Sequence, residues 1–354
     1  MAPVSVRAAK ICILLLLVTG AGLGVTPSAA RERGARDCEG VQVRASASLS
    51  GVMSHHGPRT TYCLAAGTFR VTRTIKTDVG DRVIGAGRND TFINGSGLSP
   101  TADSIFAAES RNYFAHLDIF GAPTPAAGSA EHCSPRPDCG KAFSLRGSSL
   151  TLQSVDCHDN GGNCIGGGGS SNITVDDLNC WHNGSAYSMT SSFRYAACIK
   201  RAAAYGAGND TTVTNSYIHD NPWVGIWCDH CKHGTFRIEN NRIVHNGGNG
   251  IQWEMSGGWS SDDEAIIRDN VIRRNNHRGA DSWRGGIGIS SANDIVVASN
   301  TFGRNHVAGV NIIFADDRDP PQPDSRGVVI RDNAMNGDAV DGCSLAGVTC
   351  DNND

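Results

Sequence analysis

From Val213 to Met335, apolar and polar residues alternate in short bursts that return about every 25–33 residues. Each burst opens on a pair two residues apart: Thr211/Val213, Phe236/Ile238, Ala265/Ile267, Ile295/Val297 and Val328/Ile330. A third apolar residue follows at a fixed offset, at Ile218, Ile243, Ile272, Phe302 and Met335. Three residues later, four of the copies carry Asn221, Asn246, Asn275 and Asn305. Leu150/Leu152 with Cys157 and Asn160, and Ile173/Val175 with Cys180 and Asn183, fit the same template. A period of two means strands with one buried face. Repetition at this length means a stacked array in which each unit covers the apolar face of the next. Every unit reads strand, turn, strand, with no room for a helix. The expectation is a parallel β-solenoid.

A further alternating segment follows each asparagine turn and opens on a glycine: Gly225-Ile226-Trp227-Cys228-Asp229, Gly250-Ile251-Gln252-Trp253-Glu254, Gly286-Ile287-Gly288-Ile289-Ser290 and Gly309-Val310-Asn311-Ile312-Ile313. Aligned on the glycine, Ile226/Cys228, Ile251/Trp253, Ile287/Ile289 and Val310/Ile312 share the inner face. A slip of one residue would expose them all. Trp227, Asp229, Gln252 and Glu254 then face outward. Placing Ala197 and Ile199 inward sets Lys200 on the outer face, in the column beside Asp229. Each coil is thus expected to hold three strands. The recurring asparagines, together with Asn241, Asn270, Asn300 and Asn333, read as structural ladders at the turns.

Lys200, Asp229 and Glu254 are the candidate catalytic residues. On successive rungs, about 4.8 Å apart, two carboxylates call for a cation or a proton between them. The pair offers a place for Ca²⁺ through oxygen ligands, with Lys200 taking a proton from a uronate carbon. Alternatively, carboxylates about 5 Å apart suit the nucleophile and acid of a retaining glycosidase. All six tryptophans lie between residues 181 and 283. Trp253 reads as core, whereas Trp223, Trp227, Trp259 and Trp283, with Gln252 and Asn311, are candidate substrate contacts. An aromatic face stacks well on a sugar ring.

The ends of the chain set its address. Residues 1–30 hold Arg7 and Lys10, an apolar run from Ile11 to Val18, and Ser28-Ala29-Ala30. That is the pattern of a secretory signal peptide, with an apolar run too short to span a bilayer. Its removal would shift the formal charge from −4 to −6, which argues against a nucleic-acid partner. It would also leave twelve of the thirteen cysteines, an even number suited to an oxidising compartment. Cys38–Cys63, Cys133–Cys139 and Cys343–Cys350 are plausible short-range pairs. Cys157, Cys164, Cys180 and Cys198 could pair across rungs, in a connectivity left open. Cys228 and Cys231 read either as a metal or redox motif or as a local disulfide. Residues 31–66 are expected to cap the first coil, 67–341 to form the array, and 342–354 to make a disulfide-closed tail. Three insertions, 185–210, 256–264 and 315–327, interrupt the shorter repeats.

Gly67-Thr68-Phe69-Arg70-Val71, then Thr74-Ile75 and Val83-Ile84-Gly85-Ala86-Gly87-Arg88, resembles the opening coil of right-handed β-helix proteins of the pectin-lyase-like type. The repeated I-x-x-N-x-I-x-x-N-x-x-x-G-I is similar to bacterial right-handed β-helix repeats. The resemblance spans roughly residues 65–341. It implies an all-β, single-stranded right-handed parallel β-helix. The superfamily holds polysaccharide lyases, glycoside hydrolases, uronate epimerases, phage tailspikes and proteins without a known reaction, and fold alone does not choose among them. The expectation is a secreted, monomeric protein that handles a polysaccharide. A lyase on uronate-containing glycan comes first, a glycoside hydrolase second, and a non-catalytic adhesion or glycan-binding protein is the alternative from another class.

Overall fold

The computed structural model describes residues 38–124, 139–168, 172–185, 197–204, 210–231, 234–256, 264–278, 285–313 and 325–354. Their strands form two parallel sheets, of eighteen and ten strands. The chain passes from one sheet to the other once per coil, as a parallel β-helix must. The coil expected from the periodicity is present, with three straight stretches per turn. Two of them belong to the larger sheet and one to the smaller.

In the larger sheet the two stretches are parts of one strand in early coils. Leu150–His158 and Ile173–Trp181 each run continuously but turn at Ser154 (φ 53°) and Asp177 (φ 56°). In the next coil the same corner, at Asn215 (φ 51°), separates Thr211–Thr214 from Tyr217–His219. A second corner carries Asp159, His182, Asp220, His245, Arg274 and Arg304, again left-handed. An L-residue there is strained unless its surroundings hold it.

Asparagines supply that hold. After the first corner, Asn241, Asn270, Asn300 and Asn333 are buried, and the backbone N–H of each donates to the side-chain oxygen of the next. After the second, Asn183, Asn221, Asn246, Asn275 and Asn305 form the same chain of contacts. Each side-chain amide also closes on a carbonyl of the coil before, as Asn270 does on Ile238 at 2.8 Å. The ladders read from sequence are therefore real, and they fix both corners at constant length.

The expected inner residues, Phe236 and Ile238, Ala265 and Ile267, Ile295 and Val297, and Val328 and Ile330, are all buried in one continuous core. The stretch before Gly67 is more regular than a loose cap. Val41–Val43 pairs with Thr61–Leu64, and that strand pairs with Arg82–Ile84. A short helix, Leu49–Met53, starts at Ser48, whose hydroxyl accepts from Gly51 N–H at 3.2 Å. At the other end Val348–Asp351 pairs with Arg326–Arg331, so the tail continues the ladder. No helix among the described residues is long and apolar enough to cross a membrane.

Cys38–Cys63 and Cys343–Cys350 are bonded as expected. Cys157–Cys164 and Cys180–Cys198 close within single coils rather than across rungs. The inner face explains this: cysteines leaving one sheet and entering the next within one coil face each other across the core. Cys228 and Cys231 are disulfide-bonded and belong to the core, so the metal reading of that pair falls. Cys139 is also oxidised, while Cys133 lies outside the described residues. This density of disulfides is consistent with an extracellular setting.

Candidate functional site

Five strands of the ten-stranded sheet carry the candidate site: β1 (Ala197–Ala204), β2 (Val224–Cys231), β3 (Ile251–Glu254), β4 (Ile287–Ser290) and β5 (Val310–Ile313). Glycine opens three of them for a steric reason. A Cβ on Gly250 would come within 2.8 Å of both the Asn275 amide and the Gly286 carbonyl. One on Gly286 would meet the Gly309 carbonyl at 2.7 Å and the Asn305 amide at 2.9 Å. The second asparagine ladder thus runs so close to the sheet that no side chain fits.

The register confirms the glycine alignment. Ile226, Ile251, Ile287 and Val310 are successive partners on the inner face. Trp227, Gln252, Gly288 and Asn311 form one outer column, and Asp229, Glu254, Ser290 and Ile313 the next. The residues after three members of that second column, His230, Met255 and Ser291, have φ of 57°, 49° and 49°. The carboxylates therefore sit at the ends of their strands, against a corner that fixes their backbones.

Lys200 departs from the expected register. Its partner across the ladder is Trp227, and the residue opposite Asp229 is Ala202. The lysine stem is long enough to cross diagonally, so its Nζ still reaches Asp229 Oδ2 at 3.4 Å. The same ammonium lies 3.6 Å from the centre of the Trp227 ring. Trp227 Nε1 in turn donates to Glu254 Oε2 at 3.1 Å, and Gln252 Nε2 donates to the same oxygen at 2.9 Å. Lysine, aspartate, tryptophan, glutamate and glutamine thus form one connected polar group. Each of the five is no more than 6% exposed.

Burial separates this group from a solvated surface pair. The two carboxylates were expected to repel each other, but each has its own positive or donating neighbour. Asp229 has Lys200, with His230 Nε2 at 3.8 Å from its other oxygen. Glu254 has two N–H donors. A carboxylate oxygen that accepts two hydrogen bonds is stabilised by them. Asp229 Oδ1 is buried and accepts no hydrogen bond, and neither does the buried hydroxyl of Ser290, next in the column. The described residues do not present a calcium site at Asp229 and Glu254. Ca²⁺ takes six to eight oxygens, whereas these carboxylates face an ammonium and two N–H groups. No group of three or more His, Cys, Asp or Glu converges as a metal site among the described residues.

Of the remaining candidates, Asn311 is buried in the Trp227 column, two rungs beyond Gln252 with Gly288 between. Trp223 is buried in the turn just before β2. Trp259 and Trp283 lie outside the described residues, as does the Asp316 to Asp319 run. Sequence reasoning passed over Ser290, His230 and Arg201. Ser290 was legible, since it occupies the carboxylate column. Arg201 follows the inner parity of Ile199, opposite Cys228. It is 2% exposed, and burial pulls its guanidinium pKa down to about 10.

Comparison with known proteins agrees with this architecture. The family model described as "Right handed beta helix region" matches residues 86–280 and 202–354, and the chain belongs to that family. Among solved structures, the surface adhesin PfbA of Streptococcus pneumoniae is similar at a TM-score of 0.55 and 14% identity, covering 82% of this chain and 74% of that one. The A-module of the mannuronan C-5 epimerase AlgE6 of Azotobacter vinelandii has a TM-score of 0.37 at 14% identity, covering 86% of this chain and 93% of that one. The catalytic domain of a GH87 α-1,3-glucanase has 0.47 at 13% identity, covering 89% and 65%. At such identities the likeness is one of fold. No curated protein sequence matches the chain.

Proposed function

We propose that the protein is an exported polysaccharide lyase that cleaves a uronate-containing glycan at the outer face of β1, β2 and β3. The observation that carries this reading is Asp229, whose Oδ1 is buried without a hydrogen bond while Oδ2 meets Lys200. A carboxylate oxygen that accepts no hydrogen bond, with His230 Nε2 standing off at 3.8 Å, is suited to take a proton from carbon. Lys200 was first read as the base. Its Nζ is engaged by the Asp229 carboxylate and the Trp227 ring face, so the base role passes to Asp229.

In this scheme Asp229 Oδ1 removes the proton on the carbon bearing the uronate carboxylate. The C–H electron pair becomes a carbon–carbon double bond, the adjacent C–O glycosidic bond breaks, and the departing oxygen takes a proton from water. The Lys200 ammonium stabilises the charge that spreads onto the substrate carboxylate as the proton leaves. Trp227, held by Glu254, fixes the lysine from below. No step needs calcium, so chelation should leave turnover unchanged.

A retaining glycoside hydrolase is the second reading. Asp229 and Glu254 are direct partners on adjacent strands, and about 4.8 Å between strands is close to the 5–5.5 Å of a retaining carboxylate pair. Incubation with polyuronates and with neutral glucans separates the readings. Ultraviolet absorbance of a conjugated double bond marks a lyase, and new reducing ends without it mark a hydrolase. Glycan retained with neither product marks a non-catalytic binder and ends the enzymatic proposal.

A further inference from the structure

We propose a second binding site, on the outer face of the eighteen-stranded sheet, where Arg242, Arg273, Arg274 and Arg304 hold the anionic groups of an acidic polysaccharide. The four arginines line one groove together with Tyr217 and His245. Arg242 opens the strand Arg242–Val244, and Arg273 ends the strand Val271–Arg273 on the next rung. Arg274 occupies the left-handed corner (φ 55°), and Arg304 the same corner one coil further on (φ 59°). All four are exposed, and none makes an ion pair among the described residues.

Chance does not favour this arrangement. The chain has 35 acidic residues against 31 lysines and arginines, and several other arginines meet carboxylates, as Arg268 and Arg237 meet Glu239. Arg274 and Arg304 follow the ladder partners Arg273 and Gly303 on neighbouring rungs, where like charges are unfavourable and a bound anion relieves them. The acidic residue that lines the groove, Asp220, is already taken. It accepts from His219 Nδ1 at 2.6 Å and from His245 Nδ1. Gly303, the ladder partner of Arg273, adds no side chain and leaves the groove open at that rung.

The ligand class follows from geometry and charge. Guanidinium forks bind carboxylate or sulfate through paired hydrogen bonds. Arg274 and Arg304 stand one rung apart, about 4.8 Å, and Arg242 lies one rung before, opposite Val271. Tyr217 is 37% exposed, and its ring stacks on that of His219 with centroids 3.9 Å apart. It closes one edge of the charged row, with the Arg242 guanidinium 5.4 Å from the centre of its ring. A nucleic acid also carries a row of anionic groups, and binding of DNA is the competing outcome. The site lies around the second asparagine corner from Lys200 and Asp229, and it holds whether or not those residues catalyse.

The test is calorimetric titration of the full protein at low salt with an oligogalacturonate, a heparin oligosaccharide, an uncharged dextran oligosaccharide and a single-stranded DNA oligonucleotide. The uronate or the sulfated chain is expected to bind, and the stronger of the two identifies the natural anion. Charge reversal in Arg273→Glu/Arg304→Glu, or neutralisation in Arg273→Gln/Arg304→Gln, should weaken that binding about tenfold per arginine. Arg326→Gln, at an exposed arginine outside the groove, should bind as the parent does. Equal binding by both arginine variants and the parent, equal binding of dextran, or DNA binding as tightly as the glycan would each overturn the proposal.

Discussion

Lys200 and Asp229 meet diagonally: Nζ lies 3.4 Å from Oδ2 although the ladder sets Trp227, not Asp229, opposite the lysine. Both side chains are almost fully enclosed, at 7% and 8% exposure. Removing one partner of such a pair leaves the other charged and buried. Lys200→Met should therefore cost about 3 kcal/mol of unfolding free energy and abolish turnover. Urea denaturation of the two proteins side by side checks this, and equal midpoints would refute the pairing.

Glu254 behaves differently under substitution. Two donors, from Trp227 and Gln252, converge on its Oε2, and the carbonyl oxygen of a glutamine can accept them in place. Glu254→Gln should stay within about 1 kcal/mol of the parent in stability, while activity on the accepted glycan falls at least tenfold. A variant with full activity removes Glu254 from the mechanism.

The ladders predict a gradient along the stack. Asn270 is buried. It donates to Asn300 and Ile238 and accepts both the backbone N–H and the side-chain amide of Asn241. Asn353 stands at the end, where it receives Asn333 but is only partly buried. Asn270→Ala should cost about 3 kcal/mol or more through orphaned buried groups, and Asn353→Ala distinctly less. Thermal midpoints that fall equally in the two would mean that the ladder contributes no stability of its own.

Acidity should act through Asp156. Burial pushes its carboxyl from 3.8 up to about 6 and Asp118 adds to the rise, while Arg88 at 3.2 Å only partly offsets it. Between those two pH values the folded protein holds more protons than the unfolded chain, so stability falls as pH rises through that window. His158 acts in the same sense at higher pH. Burial lowers its pKa, but hydrogen bonds to Asp118 and Asp159 outweigh that and raise it, so its contribution is present below 6.5 and lost above. The thermal midpoint of the parent should drop between about pH 4 and 6 by the equivalent of roughly 2 kcal/mol, and the drop should flatten in Asp156→Asn. An unchanged slope in the variant would assign the effect elsewhere.

Peptide mapping without reduction should recover Cys157–Cys164 and Cys180–Cys198 as separate pairs. Recovery of a Cys157–Cys180 peptide would show the bonds running along the stack instead of within the coils.

Most of the fold was legible because one physical demand recurs: each coil must cover the apolar face of the last. Val213, Ile238 and Ile267 advertise it by alternation, and Asn221 to Asn305 mark where the chain turns. The Asp229–Glu254 pairing followed from the glycine register. Lys200 came out one column off, since its strand has no glycine to align and the coil before β2 is interrupted by an insertion. The within-coil disulfides were hidden because spacing along the chain says nothing of which cysteines face across a core. The arginine row was overlooked for a plainer reason: Arg242, Arg273 and Arg304 sit at outward positions, and the repeat was read from its inward ones.

Both asparagine corners keep a constant length, and the segments that vary all join the ten-stranded sheet to its neighbours, on either side of the candidate site. Extra residues added there leave the stacking of every other coil untouched. The molecule is thereby divided into a constant spine and an editable rim. Swapping one of these segments for a foreign loop should leave the spine folded, and the segments can be exchanged one coil at a time.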